Sequence, residues 1–591
     1  MIRSVQLSRR RQWVVVLLAM LALLAGPLLS GCVSVPTTGP VEKVEGQPPE
    51  CQNCLNVDVA PPTAGDDPKQ IVQGFLRATS NFQPNYAVAR QFLTTAAAEK
   101  WAPESGVWIY SGSLQTAGNT VILDGRLVGS LGHDRTYTAR DKPWRVNFGM
   151  VKESGEWRIS TPPAGLMVAE FAFASFYQPY NLYFIGNGSS LVPNPIYLPN
   201  LRNQAGIASV LMRALLNGPS DWLGPAVSSA IPAGTALSVD AVTITNGVAE
   251  VALSDNVLAL NDGQRTLMAA QVLYTLMPIG IQGVTFTVGQ RPFAIPGADP
   301  STSYEVTLDA NFQAFDPVPS GTVDALYVAR NNQVQSISPI TDRADGARVP
   351  GPLGRGRWPV TGLAVSPTAS DIAAVTNGGE VLRRAETAGG SARTVLSGVS
   401  GLLAPEFTRF AELWAIGRSG GRQRLWVDRD GKVVEIDSLI LRRGVIRSFA
   451  ISPDGVRMAL IREVNGRTEL GLARIIRGER IRLDGWQPLD VSRSTTPNLS
   501  LLRDVAWSDA TSLVVLAGAT SDAPMTVYRV SQDASAITAV GEPISWDAVS
   551  VSVALPSQTT VVLDGSGQSW RDGNTQWVTL LDRVSAVATP G

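Results

Sequence analysis

Ser448-Phe449-Ala450-Ile451-Ser452-Pro453-Asp454-Gly455 recurs, with substitutions, through the second half of this chain. Gly362-Leu363-Ala364-Val365-Ser366-Pro367 and Asp504-Val505-Ala506-Trp507-Ser508-Asp509 repeat its apolar strand and turn. Fainter copies lie at Leu402-Leu403-Ala404-Pro405 and Val549-Ser550-Val551-Ser552-Val553-Ala554. Most separations are about 40–45 residues or twice that, the period of a four-stranded propeller blade. One blade cannot bury both of its faces, whereas blades stacked around an axis can. Residues 320–591 are therefore expected to form a β-propeller of six or seven blades, with room for one incomplete blade. Within it, Asp428-Arg429-Asp430-Gly431 superficially matches a calcium loop but lacks the terminal Glu, so a hairpin turn is expected there.

Upstream the pattern changes to α+β. Ile207, Val210, Leu211, Ala214 and Leu215 share a helical face that stops at Asn217-Gly218-Pro219. Ile231-Pro232-Ala233-Gly234-Thr235 follows, then a strand to Ile244 and an Asn246-Gly247 turn of the type I′ hairpin kind. A second helix is expected from Gln264 to Met277, then a strand from Val284 to Val288. The series Leu215 to Pro219, Ile231 to Thr235 and Asn246 to Val251 resembles the GerMN domain, over residues 195–298. That family contains interaction or ligand modules without an established catalytic centre, so no catalytic residue carries over. The turn glycines and prolines have a sufficient structural reason. An aromatic bridge, Phe171 to Pro199, precedes this unit and is expected to pack between domains.

Still earlier, Asp67 can cap a helix that Pro68 begins, with Ile71, Val72, Phe75, Leu76 and Thr79 on one face. A second helix carrying Phe92 and Leu93 is expected next. Strands follow: Val121 and Leu123 lead into an Asp124-Gly125 turn with Leu127 on the return, and Trp144, Val146 and Phe148 alternate. Ser154-Gly155 turns the chain toward Trp157 and Ile159. Helices before a curved antiparallel sheet resemble an NTF2-like domain, over residues 66–165. His133, the one histidine in the chain, sits between Gly132 and Asp134 in an expected solvated turn, which disfavours a catalytic role.

The amino-terminal region points to a membrane surface. Arg3, Arg9, Arg10 and Arg11 precede an apolar run from Trp13 to Leu28, closed by Leu29-Ser30-Gly31-Cys32. This is a secretory signal pattern over residues 1–31, with cysteine just after the cut. It resembles the lipobox of bacterial lipoproteins, which implies that Cys32 becomes S-diacylglyceryl cysteine and is N-palmitoylated. A spanning helix needs about 20 apolar residues, and Gly26-Pro27 interrupts this run early. The Arg9-Arg10 pair lacks the downstream context of a twin-arginine signal. Residues 32–65 are rich in Pro, Gly, Thr, Glu and Gln, and are expected to form a flexible tether. Within the tether, Cys51 and Cys54 could close a small disulfide in an oxidising compartment. A redox or haem site lacks its setting there, and a zinc site lacks its further ligands.

The totals exclude several classes. At 591 residues the chain exceeds one core. A formal charge of −1 offers no footprint for nucleic acid. P-loop, zinc-protease and dinucleotide-binding patterns are absent from the sequence, and no nucleophile elbow is read in a strand-to-helix setting. No catalytic residue, metal or cofactor is therefore expected. Carboxylate pairs supplied by distant loops leave no sequence signature, so a glycan-binding protein or hydrolase using the propeller channel is the rival reading. A receptor holding a soluble wall fragment is another.

The order lipobox, NTF2-like region, GerMN domain and propeller resembles the actinobacterial lipoprotein LpqB family over nearly the whole chain. The resemblance rests on Leu29 to Cys32, the motifs between Asn217 and Val251, and the repeated Ala-x-Ser segments. It implies a lipid-anchored protein on the extracytoplasmic face of the cell membrane. It also implies a partner, the outer domain of a two-component sensor kinase of the MtrA/MtrB type, and through it an influence on cell-wall homeostasis and division.

Overall fold

The computed structural model describes residues 59–591, except 202, 341–345, 493–498, 521–522 and 574. Cys32, Cys51, Cys54 and the expected signal segment lie outside the described residues.

Asp67 accepts from the Gln70 amide, and the Gln70 side chain answers the Asp67 amide, so a capping box starts the helix Pro68–Ser80. Its apolar face, Ile71, Val72, Phe75 and Leu76, is buried. Two short helices, Ala87–Gln91 and Thr95–Lys100, follow, and Phe92 and Leu93 lie in the joint between them, both buried. These helices pack on a five-stranded sheet formed by Val107–Ala117, Thr120–Leu131, Tyr137–Glu153, Glu156–Thr161 and Leu166–Ala169. The last of these pairs parallel to the first, so the sheet is mixed. Val59 already packs against this core, and the Gly65 amide donates to Glu156 Oε2 at 2.9 Å.

Asp124-Gly125 is not a turn. It lies inside the strand Thr120–Leu131, where Gly125 pairs with Gly112 across the ladder. A Cβ on Gly125 would stand 2.1 Å from the Ser111 carbonyl oxygen, so close strand approach is what demands the glycine. The reversal occurs earlier, at Gly118-Asn119. Ser154-Gly155 does turn the chain, with φ of 53° and 85°.

The bridge is a hairpin, Tyr177–Ile185 with Leu191–Pro199. Its ends Tyr177 and Tyr197 belong to the first core, while Leu182, Phe184, Ile196 and Leu198 belong to the second. The hairpin thus welds the two α+β units. In the second unit the helices Gln204–Leu216 and Asp262–Leu276 cover a sheet in which Val248–Leu253 pairs antiparallel with Thr243–Thr245 and parallel with Gly283–Val288. Asn246 and Gly247 have φ of 52° and 81°, as a type I′ turn requires. The strand before that turn is short; Ile231 to Val242 runs as turns and bends.

From Leu326 onward the chain builds six four-stranded sheets around an axis. Blade 1 spans Val360–Leu396, blade 2 Glu406–Ile436, blade 3 Val445–Leu489, blade 4 Leu501–Ile544 and blade 5 Ala548–Leu581. Blade 6 is composite: the strand Val584–Ala588 pairs with Leu326–Arg330 and closes the ring. Apolar clusters fill the spaces between blades, as between blades 3 and 4 (Ile461, Leu472, Trp507, Val515). Asp428-Arg429-Asp430-Gly431 is a hairpin end, with Asp430 and Gly431 at φ 51° and 79°.

Candidate functional site: the propeller channel and the domain clamp

The first strand of each blade lines a central channel of about 290 Å³. The repeat explains the lining. Ala364 pairs with Ala373, Ala450 with Ala459 and Ala506 with Val514, so small residues occupy this position where the inner strands crowd together. In blade 2 the equivalent residue, paired with Trp414, is Glu406. The weak copy read at Leu402 to Pro405 is thus out of register by two residues. Phe407 pairs with Leu413 and the Thr408 amide donates to the Glu412 carbonyl, as Ser452 does to Arg457 in blade 3. A carboxylate in place of alanine is what blurred the repeat.

Asp504 faces the same channel from blade 4. It accepts from Ser448 Oγ of blade 3 at 2.5 Å and from the Val551 amide of blade 5 at 2.8 Å, so one side chain ties three blades. Burial pushes its carboxyl up to about 6. Burial and then the nearby Asp504 charge push Glu406 up to about 8. The Glu406 carboxyl has no hydrogen-bond donor among the described residues. Sequence reasoning missed both residues, although Asp504 opens a repeat copy at the position where Gly362 and Ser448 stand.

One end of the propeller is clamped to the α+β units. Tyr197 donates to Asp533 Oδ2 at 2.9 Å and lies 2.5 Å from Ser535 Oγ, and burial raises its hydroxyl pKa further above the usual range. Trp222 donates from Nε1 to the Gly485 carbonyl at 2.6 Å, while Arg474 Nη1 donates to the Trp222 carbonyl at 2.5 Å. Trp222 also packs among Val192, Leu223 and Val456. Arg409 donates to the Asp316 and Pro317 carbonyls, both at 2.9 Å. Replacing Trp222 by Ala is expected to cost about 2 kcal/mol, below the range for a fully buried tryptophan because its edge is partly exposed. Limited proteolysis of the 300–325 connection should quicken in that variant. Equal cleavage rates in variant and wild type would show that Trp222 does not hold the clamp.

His133 is exposed in the turn Gly132 to Arg135 and touches neither carboxyl of the channel. Among the described residues no group of three or more His, Cys, Asp or Glu could hold a metal ion. Among them, too, no helix is long and apolar enough to cross a membrane.

Two α+β units fused through a shared hairpin and clamped to a ring-closed six-bladed propeller define a modular propeller protein. The comparisons give its kinship. Residues 61–174 match the N-terminal domain of lipoprotein LpqB, 181–293 the sporulation and spore germination domain, and 337–590 the lipoprotein LpqB β-propeller domain. Lipoprotein LpqB of Cutibacterium acnes is 30% identical, covering 95% of this chain and 97% of its own. Lipoprotein LpqB of Streptomyces coelicolor is 26% identical over 92% and 94%. Among solved structures, TolB from Acinetobacter baumannii aligns at 16% identity and TM-score 0.35, over 55% of this chain and 86% of its own. The chain belongs to the lipoprotein LpqB family.

Proposed function

We propose that this protein is a lipid-anchored docking protein on the extracytoplasmic face of the membrane, held by Cys32, that binds the outer domain of a two-component sensor kinase and so influences cell-wall homeostasis and division. The observation that supports this reading best is the welding of three domains by a shared hairpin and by the Tyr197, Trp222 and Arg409 contacts. Such a body presents a large preorganised surface, which limits the ordering cost of association. Two or more acyl chains give firm anchoring, at about 0.8 kcal/mol per buried CH₂. Confinement at the membrane raises effective concentration, so modest affinities suffice. Binding shifts the kinase between signalling states only through unequal affinity for them. Cys51 and Cys54, if bridged, would shorten the tether.

Replacing Cys32 by Ala should move the protein from the membrane to the soluble fraction and abolish crosslinking to the kinase ectodomain. A variant that stays membrane-bound through washing and retains full crosslinking overturns the proposal.

The Glu406 and Asp504 carboxyls favour a second reading, in which the channel binds or hydrolyses envelope glycan. One carboxyl that holds its proton near neutral pH and one that is ionised are the ingredients of acid–base chemistry on a glycosidic bond. Glu406→Gln separates the readings. It leaves kinase crosslinking intact under the first, and abolishes muropeptide binding or turnover under the second.

A further inference from the structure

We propose that the groove between blades 2 and 3 docks an extended, acidic segment of a protein partner that also carries apolar side chains. The proposal deepens the docking reading by assigning it a surface and a partner chemistry. The groove has a volume of about 590 Å³ and is lined by Arg418, Arg422, Arg424 and Arg442 against Glu435 and Asp437. Arg424 pairs with Glu435, and Arg442 with Asp437 at 2.9 Å, which neutralises both acids. Arg418, Arg422 and the adjacent Arg443 are exposed and have no side-chain partner among the described residues. A chain of net charge −1 therefore concentrates uncompensated guanidinium groups at one place.

Apolar surface lies beside that charge. Val433 is 37% exposed, Val434 52% and Leu439 75%; among the described residues of the propeller, Val549 is the one other large apolar side chain so exposed. Val433 and Val434 sit on Lys432–Ile436, the outermost strand of blade 2, whose first four residues are all exposed. Edge strands are normally blunted by charge or cover. This one carries Lys432 and Glu435 but leaves its outer hydrogen-bonding edge unpaired, with Val433 on one face and Val434 on the other, an arrangement that accepts an added strand. Arginine and exposed apolar residues together are the composition of interface centres.

The groove is also accessible. The α+β units hold the propeller through the hairpins at Arg409-Phe410, Val456 and Asp533 to Ser535, which join first to second or third to fourth strands, and through Arg474 and Gly485 where the third and fourth strands of blade 3 pair. The groove is built from the second-to-third strand turn at Gly420-Gly421 and the connection into blade 3, at the other end of the blades. An anionic membrane would satisfy the arginines but would leave the strand edge unused, so a peptide fits the observations better.

The test uses the full chain carrying Cys32→Ala and a labelled octapeptide of alternating Glu and Val, with a Lys-Val octapeptide and phosphatidylglycerol vesicles as controls. Binding of the Glu-Val peptide, protection of Lys432–Ile436 from hydrogen exchange, and at least tenfold weaker binding by Arg418→Glu/Arg422→Glu and by Val434→Asp are expected. All three positions are exposed, so melting should not change. Equal binding by the variants, protection elsewhere, or charge-dependent binding to vesicles in place of the peptide overturns the proposal. Peptide binding decides the groove and kinase crosslinking decides the reading above, so each can fail alone.

Discussion

Arg457→Ala should lower unfolding stability by about 3–5 kcal/mol, the range for removing one partner of a buried ion pair. Arg457 is 1% exposed and Asp454 is fully buried. The guanidinium, on the second strand of blade 3, pairs with Asp454 and donates to Gln532 and to the Ala510 carbonyl at 2.7 Å. Its carbon lies 5.1 Å from the Trp507 ring centroid. Gln532, Ala510 and Trp507 all belong to blade 4, so this side chain staples two blades at the end that faces the α+β units. Truncation leaves the Asp454 carboxylate buried, accepting from Ser452 Oγ and the Val456 amide, with the Arg409 charge nearby. Chemical denaturation followed by tryptophan fluorescence measures the loss. The double variant Arg457→Ala/Asp454→Asn should recover part of it, because the stranded charge is then gone. Full additivity of the two single losses would show that the pair does not act as a unit.

Glu406→Gln should have the opposite sign, and its effect should depend on pH. The folded-state value, about 8, lies above the ordinary 4.5. Folding therefore favours the protonated acid. Its contribution is complete below about pH 4.5 and is lost as pH rises through 8, where a charge is forced into the channel near Asp504. Asp504, raised to about 6, adds the same trend at lower pH. The wild-type melting temperature should fall from pH 5 to pH 9, and Glu406→Gln should flatten that fall. Each tenfold change in proton affinity is worth about 1.4 kcal/mol, so at pH 9 the variant should be the more stable by several kcal/mol. Thermal scans across pH test this; parallel profiles for the two proteins would show that Glu406 does not titrate in that range.

Local rules carried much of the fold. Asp67 and Gln70 form the capping box that Asp67-Pro68 suggests, and Asn246-Gly247 and Ser154-Gly155 both turn the chain. They do so because each is a matter of a few adjacent backbone groups. Asp124-Gly125 has the same appearance and a different cause: its glycine answers Gly112 on a neighbouring strand, a long-range contact that local pattern does not encode. The propeller was legible because its period repeats the same inner strand. The channel carboxyls were not: Glu406 breaks the repeat where blades 1, 3 and 4 carry alanine, and Asp504, though inside a clear copy, shows its role only once Ser448 and Val551 of the neighbouring blades are seen beside it. The exposed edge at Val433 and Val434 also escaped notice, since a valine pair reads as ordinary strand until its neighbours are known.

The join between Val584–Ala588 and Leu326–Arg330 bears on how the molecule comes into being. Ser585 Oγ donates to the Ala329 carbonyl, 256 residues away in sequence. A contact so distant forms late, because loop-closure entropy opposes it until other contacts are in place. A nascent chain that has made its first three blade-6 strands must carry an unlatched β-edge until nearly everything else has emerged. That interval is its window of vulnerability to sticking and to degradation, and deleting Val584–Ala588 would make the window permanent.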